Sequence, residues 1–343
     1  MSSSSKFLRK HAVGLFLADL HHDHVVPSAR GETQDEWYES QKRQVRAVER
    51  RWAELGCPLV VVCGDWFHSG WKPHRCPPEL INRVIDWWKC FKDSEGQSCV
   101  WSVPGNHDLP YHRYQDKEKS AYWTLVQSGV VNDLGEHAEI AGTVVLHGFP
   151  WGGRTPHKLS QQYLDNFHAR HGQEYVHVAV VHDYIWSHGH SFPNAPQDKY
   201  ARRHAENLAG FDLAFFGDNH SSFDVLYGDR GNTNFPYLVN CGRFMNRNAD
   251  ERDKPCYFWV LWSDKTVTKE LFDTSRDKWH DRSVHDHKDD ASPPDFSAFL
   301  DLLAKDPKKA LDFADVFARA LDRPEVAEAV RLVGLACLEE AQK

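Results

Sequence analysis

Five short apolar runs recur along the chain, at Val13 to Ala18, Leu59 to Cys63, Cys99 to Val103, Val176 to Val181 and Leu213 to Phe216, and each reads as a strand. Between the first two, Thr33 to Leu55 places Trp37, Val45, Val48, Trp52 and Leu55 on one face and fills the other with Arg and Glu. That spacing predicts a long amphipathic helix, which Gly56 and Pro58 stop. The pattern repeats with helices expected at Pro78 to Lys92 and Glu118 to Gln127, and such alternation predicts βαβ units. From Val130 the spacing shortens. Glu136 to His147 reads as a hairpin turning at Ala141-Gly142, and Tyr257 to Trp262 is expected to pair with Thr266 to Leu271. The sum is an α/β protein carrying a second, antiparallel sheet.

Residues 274–294 break the pattern. They are polar, rich in His and Asp, and end in Ser292-Pro-Pro294. His280, His285 and His287 match no compact ligand spacing, so the tract reads as a solvated linker. Beyond it, Phe299, Leu302, Leu303, Phe313, Val316, Phe317 and Leu321, then Val326, Val330, Val333 and Leu335, recur at helical spacing. Three regions follow: a main domain over residues 1–273, a linker over 274–294 and a helical appendage over 295–343.

Length and charge narrow the function. A chain of 343 residues can bury one large core or two unequal ones. A formal net charge of -8 argues against nucleic-acid binding by a globally basic surface and leaves a local site open. The eight cysteines include no Cys-x-x-Cys pair and read as thiols of a reducing compartment, hence a cytoplasmic location. The apolar Ala12 to Ala18 after Lys6, Arg9 and Lys10 is too short and too abruptly ended by Asp19 for a secretory signal. No run approaches the roughly 20 apolar residues of a membrane span.

The chemistry lies where the apolar runs end. Asp19 and His21 follow the first, Asp65 the second, Asn106 and His107 the third, His182 the fourth, and Asp218 and His220 the fifth. Ligands of α/β sheets bind beyond the carboxyl ends of the strands, so these side chains are expected on one rim, as a metal site. Two divalent ions side by side can activate a water and neutralise phosphoryl oxygens. A carboxylate on a tight turn, Asp65 after Gly64, suits the bridging position. Asp19 and His21, two apart, would point together at one ion. Asn106, His182 and the 218–220 segment complete an O/N shell suited to Mn, Fe or Zn. His107, beside a ligand, would face the substrate and stabilise or protonate it. His22, Asp23 and His24 read as loop residues; His188 and His190 stand in a loop that could border the cleft. Trp66, Trp71 and Trp151 lie near site loops, where packing is favoured over base stacking.

Taken together, Asp19-x-His21, Gly64-Asp65, Gly105-Asn106-His107-Asp108, His182 and Gly217-x-x-His220 resemble the calcineurin-like metallophosphoesterase superfamily, from residue 13 to about 245. Within it, residues 64–73 resemble the Gly-Asp-x-Phe-His/Asp segment of SbcD-type nucleases and their phage-encoded relatives, and residues 240–247 their Asn-Pro-Gly-Ser-x-x-Arg segment. The resemblance implies a two-layered mixed β sandwich flanked by helices, with a C-terminal helical appendage. It implies one ion on Asp19, His21, Asp65 and His220, and another on Asp65, Asn106, His182 and residue 218. His107 would act on the scissile phosphate and His68 would place the DNA strand. Mn is the favoured metal, with Mg, Fe and Zn as alternatives. The resemblance further implies a homodimer and an SbcC-type ATPase partner; residues 295–343 occupy the place that engages the ATPase in such proteins, with packing of these helices over the sheet as the alternative.

Three positions depart from the family pattern. Asp218 stands for His, and its harder oxygen favours Mn or Mg over Zn. Cys241 stands for Pro, and Arg243 for Ser; Arg243, with Arg247, is a candidate phosphate contact. The leading expectation is a Mn-dependent DNA nuclease that hydrolyses phosphodiesters. A phosphatase or phosphodiesterase for a small ester or cyclic nucleotide is the second reading, and a catalytically weakened binding subunit, motivated by Asp218, the third.

Overall fold

A computed structural model describes residues 10–190, 195–227 and 234–280. The chain runs β1 (Ala12–Leu17), α1 (Gln34–Leu55), β2 (Val60–Val62), α2 (Pro78–Trp88), β3 (Val100–Ser102), α3 (Ala121–Gln127) and β4 (Asn132–Asp133). It continues through β5 (Ala138–Ala141), β6 (Val144–Phe149), α4 (Gln161–His171), β7 (Val176–His182), α5 (Ala201–Asn207), β8 (Leu213–Gly217), β9 (Phe223–Val225) and β10 (Tyr237–Asn240). It returns with β11 (Tyr257–Trp262) and β12 (Val267–Leu271).

Two six-stranded sheets result, ordered β12-β11-β1-β2-β3-β4 and β5-β6-β7-β8-β10-β9. In the first, β1 to β4 are parallel and β11 and β12 antiparallel, the latter pair in the hairpin the sequence predicts. The second is not antiparallel as expected. Its four central strands are parallel and only its edges, β5 and β9, run against them. The reason is the crossovers α4 and α5, which the apolar pattern hides. No residue of α4 is buried, and α5 is only seven residues long.

Strand β1 shows why its residues are apolar throughout. Leu15 and Leu17 pack toward the helices, while Phe16 and Ala18 face the second sheet. Phe16 stacks on Phe215 of β8 across that interface, ring centroids 3.8 Å apart. A register shift between Ala12 and Gly14 puts Val13 on the same side as Phe16 despite their odd separation. The outer layers are α1, α2 and α3 over the first sheet and α5 over the second.

Helix α1 spans the predicted interval. Thr33 caps it, its hydroxyl accepting from the Glu36 amide while the Glu36 carboxylate accepts from the Thr33 amide, and Gly56 closes it in the left-handed conformation. Helix α2 ends at Trp88, short of Lys92, because the chain turns out to bridge Lys92 to Ser98. The first residues of the polar tract lie along α1: Trp279 bridges Arg30, and Asp277 binds Arg30 at 2.7 Å and Arg43 at 2.5 Å. The rest of the expected linker and the 295–343 helices, with the ATPase surface placed there, fall outside the described residues. Among the described residues no helix is long and apolar enough to cross a membrane.

Candidate metal centre

The five strand ends meet at one rim, and the backbone is bent to make them do so. Asp19, His21, Asp65 and Asp218 all have positive φ, from 46° to 83°. That region is costly for residues with a Cβ and is held where surrounding structure dictates it, as at binding sites. Two glycines explain the motifs on steric grounds. A Cβ at Gly64 would fall 2.2 Å from His182 Nδ1, and one at Gly105 would fall 2.1 Å from Asp65 Oδ1. Gly-Asp and Gly-Asn are therefore places where backbone must press against a ligand.

The predicted ligands converge. Asp19, His21 and His220 form one group and Asp19, Asp65 and His182 a second, with candidate ligand atoms mutually within 4.8 Å. His21 Nε2 and His220 Nε2 are 3.0 Å apart, and His21 Nε2 is 3.6 Å from Asp65 Oδ2. On the other side, His182 Nε2 lies 3.0 Å from Asn106 Oδ1 and 3.5 Å from Asp65 Oδ1. Asp65 thus stands between both sets, as a bridging carboxylate must. His182 Nδ1 donates to the Cys63 carbonyl at 2.6 Å, which turns Nε2 toward the site. Asp218 belongs to neither group. Its amide donates to both Asp19 oxygens, at 3.0 and 3.2 Å, and its carboxylate is near enough to His182 and Asp65 to shift both.

Electrostatics show what the protein alone does not provide. Burial pushes the Asp65 carboxyl well above its ordinary range and raises Asp19. Neither has a Lys or Arg partner among the described residues; their neighbours are imidazoles and backbone N–H groups. Burial would lower His182, but Asp65, Asp218 and Asp19 outweigh it and hold the imidazole at about 9. His21, buried beside His107 and His220, is driven well down. Buried carboxylates whose charge only imidazolium protons offset make an O/N donor set that fits divalent cations, which would take the place of those protons.

Beside the ligands opens a cavity of about 350 Å³, whose wall includes His21, His68, His107, His220, Arg75 and Arg247. His107 Nδ1 donates to the His68 carbonyl at 2.6 Å, and the two rings stack with centroids 5.4 Å apart. Burial lowers His107 to about 4 and His68 to about 3, so both are neutral near pH 7. Arg247 binds the His21 carbonyl and Asp23 at 2.8 and 2.7 Å while lining the cavity. Arg243 is turned elsewhere. It is buried and holds Asn246 Oδ1 at 2.6 Å and the His220 carbonyl at 3.2 Å, which makes it a support for the His220 loop.

Sequence reasoning passed over several residues at this site. Asp23, read as a loop residue, is fully buried and accepts from Arg75, Arg247 and the Val25 amide. Asp108 accepts from the Phe67 and Gly105 amides and ties the second motif to the third. Glu251 accepts from the Arg247 and Asn248 amides and lies 3.7 Å from His220 Nδ1. Its place directly after the 240–247 segment and its capping-box spacing from Asn248 mark it in the sequence without giving it a role; the fold brings it under His220. His188 and His190 pair with Tyr200 and Ser221, outside the cavity wall. Trp66 is a core residue, its Nε1 bound to Ser102.

No curated protein matches the chain. The model of the calcineurin-like phosphoesterase family matches residues 15–222, an interval that opens on β1, spans all seven predicted ligands and covers more than half of the chain. By that match and by the ligand groups it encloses, the chain belongs to the calcineurin-like phosphoesterase family.

Proposed function

We propose that this metal-dependent phosphoesterase is a nuclease acting on the phosphodiester backbone of DNA, with Mn as its metal. The observation that supports this reading is the meeting of two segments. Residues 64–73 and 240–247, which carry the nuclease resemblance, lie far apart in sequence, yet His68 of the first and Arg247 of the second line one cavity beside the ligands.

Asp19, His21, Asp65 and His220 would hold one cation, and Asp65, Asn106 and His182, with Asp218, the other. Divalent cations bound there would supply Lewis-acid activation of water and charge neutralisation at phosphorus. The chain's own residues do the rest. Arg247, fixed through the His21 carbonyl and Asp23, and Arg75, bound to Asp23 at 2.9 Å, set positive charge along the cavity for a phosphodiester anion. The His68 carbonyl orients His107 so that its Nε2 is the edge left for the substrate. A phosphodiester anion beside His107 favours its protonated form, from which Nε2–H donates to the departing oxygen.

End-labelled linear DNA incubated with Mn, wild type against His107→Ala and His68→Ala, tests the reading on a denaturing gel. Degradation that falls by about 10²-fold or more in His107→Ala is expected, the usual worth of a general acid. Hydrolysis of bis(p-nitrophenyl) phosphate with intact DNA would instead establish the small-ester reading, which the net charge of -8 favours.

A further inference from the structure

We propose that the outward face of α1 is a second binding surface, for the phosphate backbone of a nucleic acid. It rests on the DNA-nuclease reading for its choice of polyanion. A groove of about 770 Å³ runs along that face and is bordered by Lys42, Arg43, Arg46, Arg50 and Arg276. Only Glu39 and Glu49 oppose them in the lining, a local excess of three positive charges on a chain of net -8. Two of the cations are already paired, Lys42 with Glu39 at 3.5 Å and Arg43 with Asp277. Arg46, Arg50 and Arg276 are exposed and form no ion pair with a described carboxylate; Asp273 acts on Arg276 and Arg43 electrostatically without an ion pair.

The arrangement selects the partner. Lys42, Arg46 and Arg50 are four residues apart, a ladder of cations rising about 6 Å per step on a rigid helix. A ladder suits a linear polyanion and not one compact anion. Ala53 is the one apolar side chain in the lining, so no anchor exists for the buried apolar centre that a protein partner needs, nor for insertion into lipid. Aromatic platforms for bases are missing from it too, so contact would be to phosphate and independent of sequence. The opposite face of α1, through Trp37, Val45 and Val48, is packed on the first sheet, so the ridge is presented by a fixed element.

The test uses the full chain loaded with Mn and a phosphorothioate duplex, which resists cleavage. Arg46→Ala/Arg50→Ala/Arg276→Ala should weaken binding at least about tenfold at low salt and reduce the slope of log K against log salt by about 2–3. The triple lysine replacement should keep the affinity, and turnover of bis(p-nitrophenyl) phosphate should be unchanged in both. Unaltered affinity and slope in the alanine variant would overturn the proposal while leaving the nuclease reading to ordinary DNA cleavage. Loss of binding in the lysine variant, or equal binding of polyglutamate, would also overturn it. Arginine-dependent binding by a wild type that cleaves no ordinary DNA would uphold the surface and reject the nuclease reading.

Discussion

Asp65 shows how much of this site depends on a single side chain being unable to move. It receives the His107 amide at 2.9 Å, faces His21 and His182 within 3.6 Å, and is backed by Gly105 with no room for a methyl group. Gly105→Ala must therefore displace Asp65 or the Asn106 turn. We expect at least about 10-fold weaker Mn binding by calorimetry, the scale seen when support for a ligand is disturbed, with the circular dichroism of a folded protein retained. Unchanged Mn affinity would show that the contact relaxes elsewhere. Asp218 poses a different question, since its amide already supports Asp19. Asp218→Asn keeps that amide and an oxygen donor but removes a charge. If the carboxylate serves the second cation, Mn affinity falls about 10–100-fold and Asp218→His restores it; if only the amide matters, both variants bind as the wild type does. At this scale the sequence was legible wherever a ligand follows a glycine at a strand end. Arg75 and Asp23 were not legible, because their charged partners are supplied by segments 52 to 224 residues away and no local spacing marks them; Glu251 is marked locally by its capping box with Asn248, but nothing local marks its approach to His220.

Elements with a strong local code were readable to within a residue or two. Helix α1 is one: apolar stripe, capping box and terminal glycine agree, and Thr33→Ala should cost about 1 kcal/mol in a denaturant titration. A loss below about 0.3 kcal/mol would mean that packing through Trp37 and Tyr38 fixes the helix start without the cap. The parallel order of the second sheet was hidden because α4 buries no residue fully, Leu164 and Phe167 being only half-buried. Its neighbours β6 and β7 carry a further feature, His147 and His177, whose rings bond at 3.1 Å in the sheet face beneath α4. Burial lowers His147 to about 3 and His177 to about 4, against an ordinary value of about 6.5. A depressed histidine binds its proton more tightly in the unfolded chain. The associated stability is full above about pH 6.5 and declines as pH falls toward 4. Urea midpoints at about pH 7.5 and about pH 5 should show that decline in the wild type and a flatter dependence in His147→Phe. Equal slopes in both proteins would place the pH dependence elsewhere.

For the whole molecule, the ligand set is drawn from both layers. Asp19, His21, Asp65 and Asn106 follow strands of the first sheet, whereas His182 ends β7 and Asp218 and His220 follow β8 of the second. Cations bound at the rim would join the two sheets as well as serve the chemistry. The metal-free protein must meanwhile tolerate Asp19 and Asp65 with raised pKa values. A raised carboxylate contributes most stability below its unfolded pKa and loses it as pH climbs through the folded value, so near neutrality these groups weaken the apo fold. Binding one ion at 100 times its Kd adds about 2.7 kcal/mol, or about 5–10 °C of melting temperature for a unit of this size. Thermal unfolding in Mn should therefore exceed that in chelator by at least this much. Asp65→Asn separates the two roles: it should erase the gain from Mn while leaving the chelated protein as stable as the wild type or more so. A chelated variant that melts well below the chelated wild type would show instead that Asp65 is needed to hold the turn, and that the fold does not bear a cost for keeping its metal site.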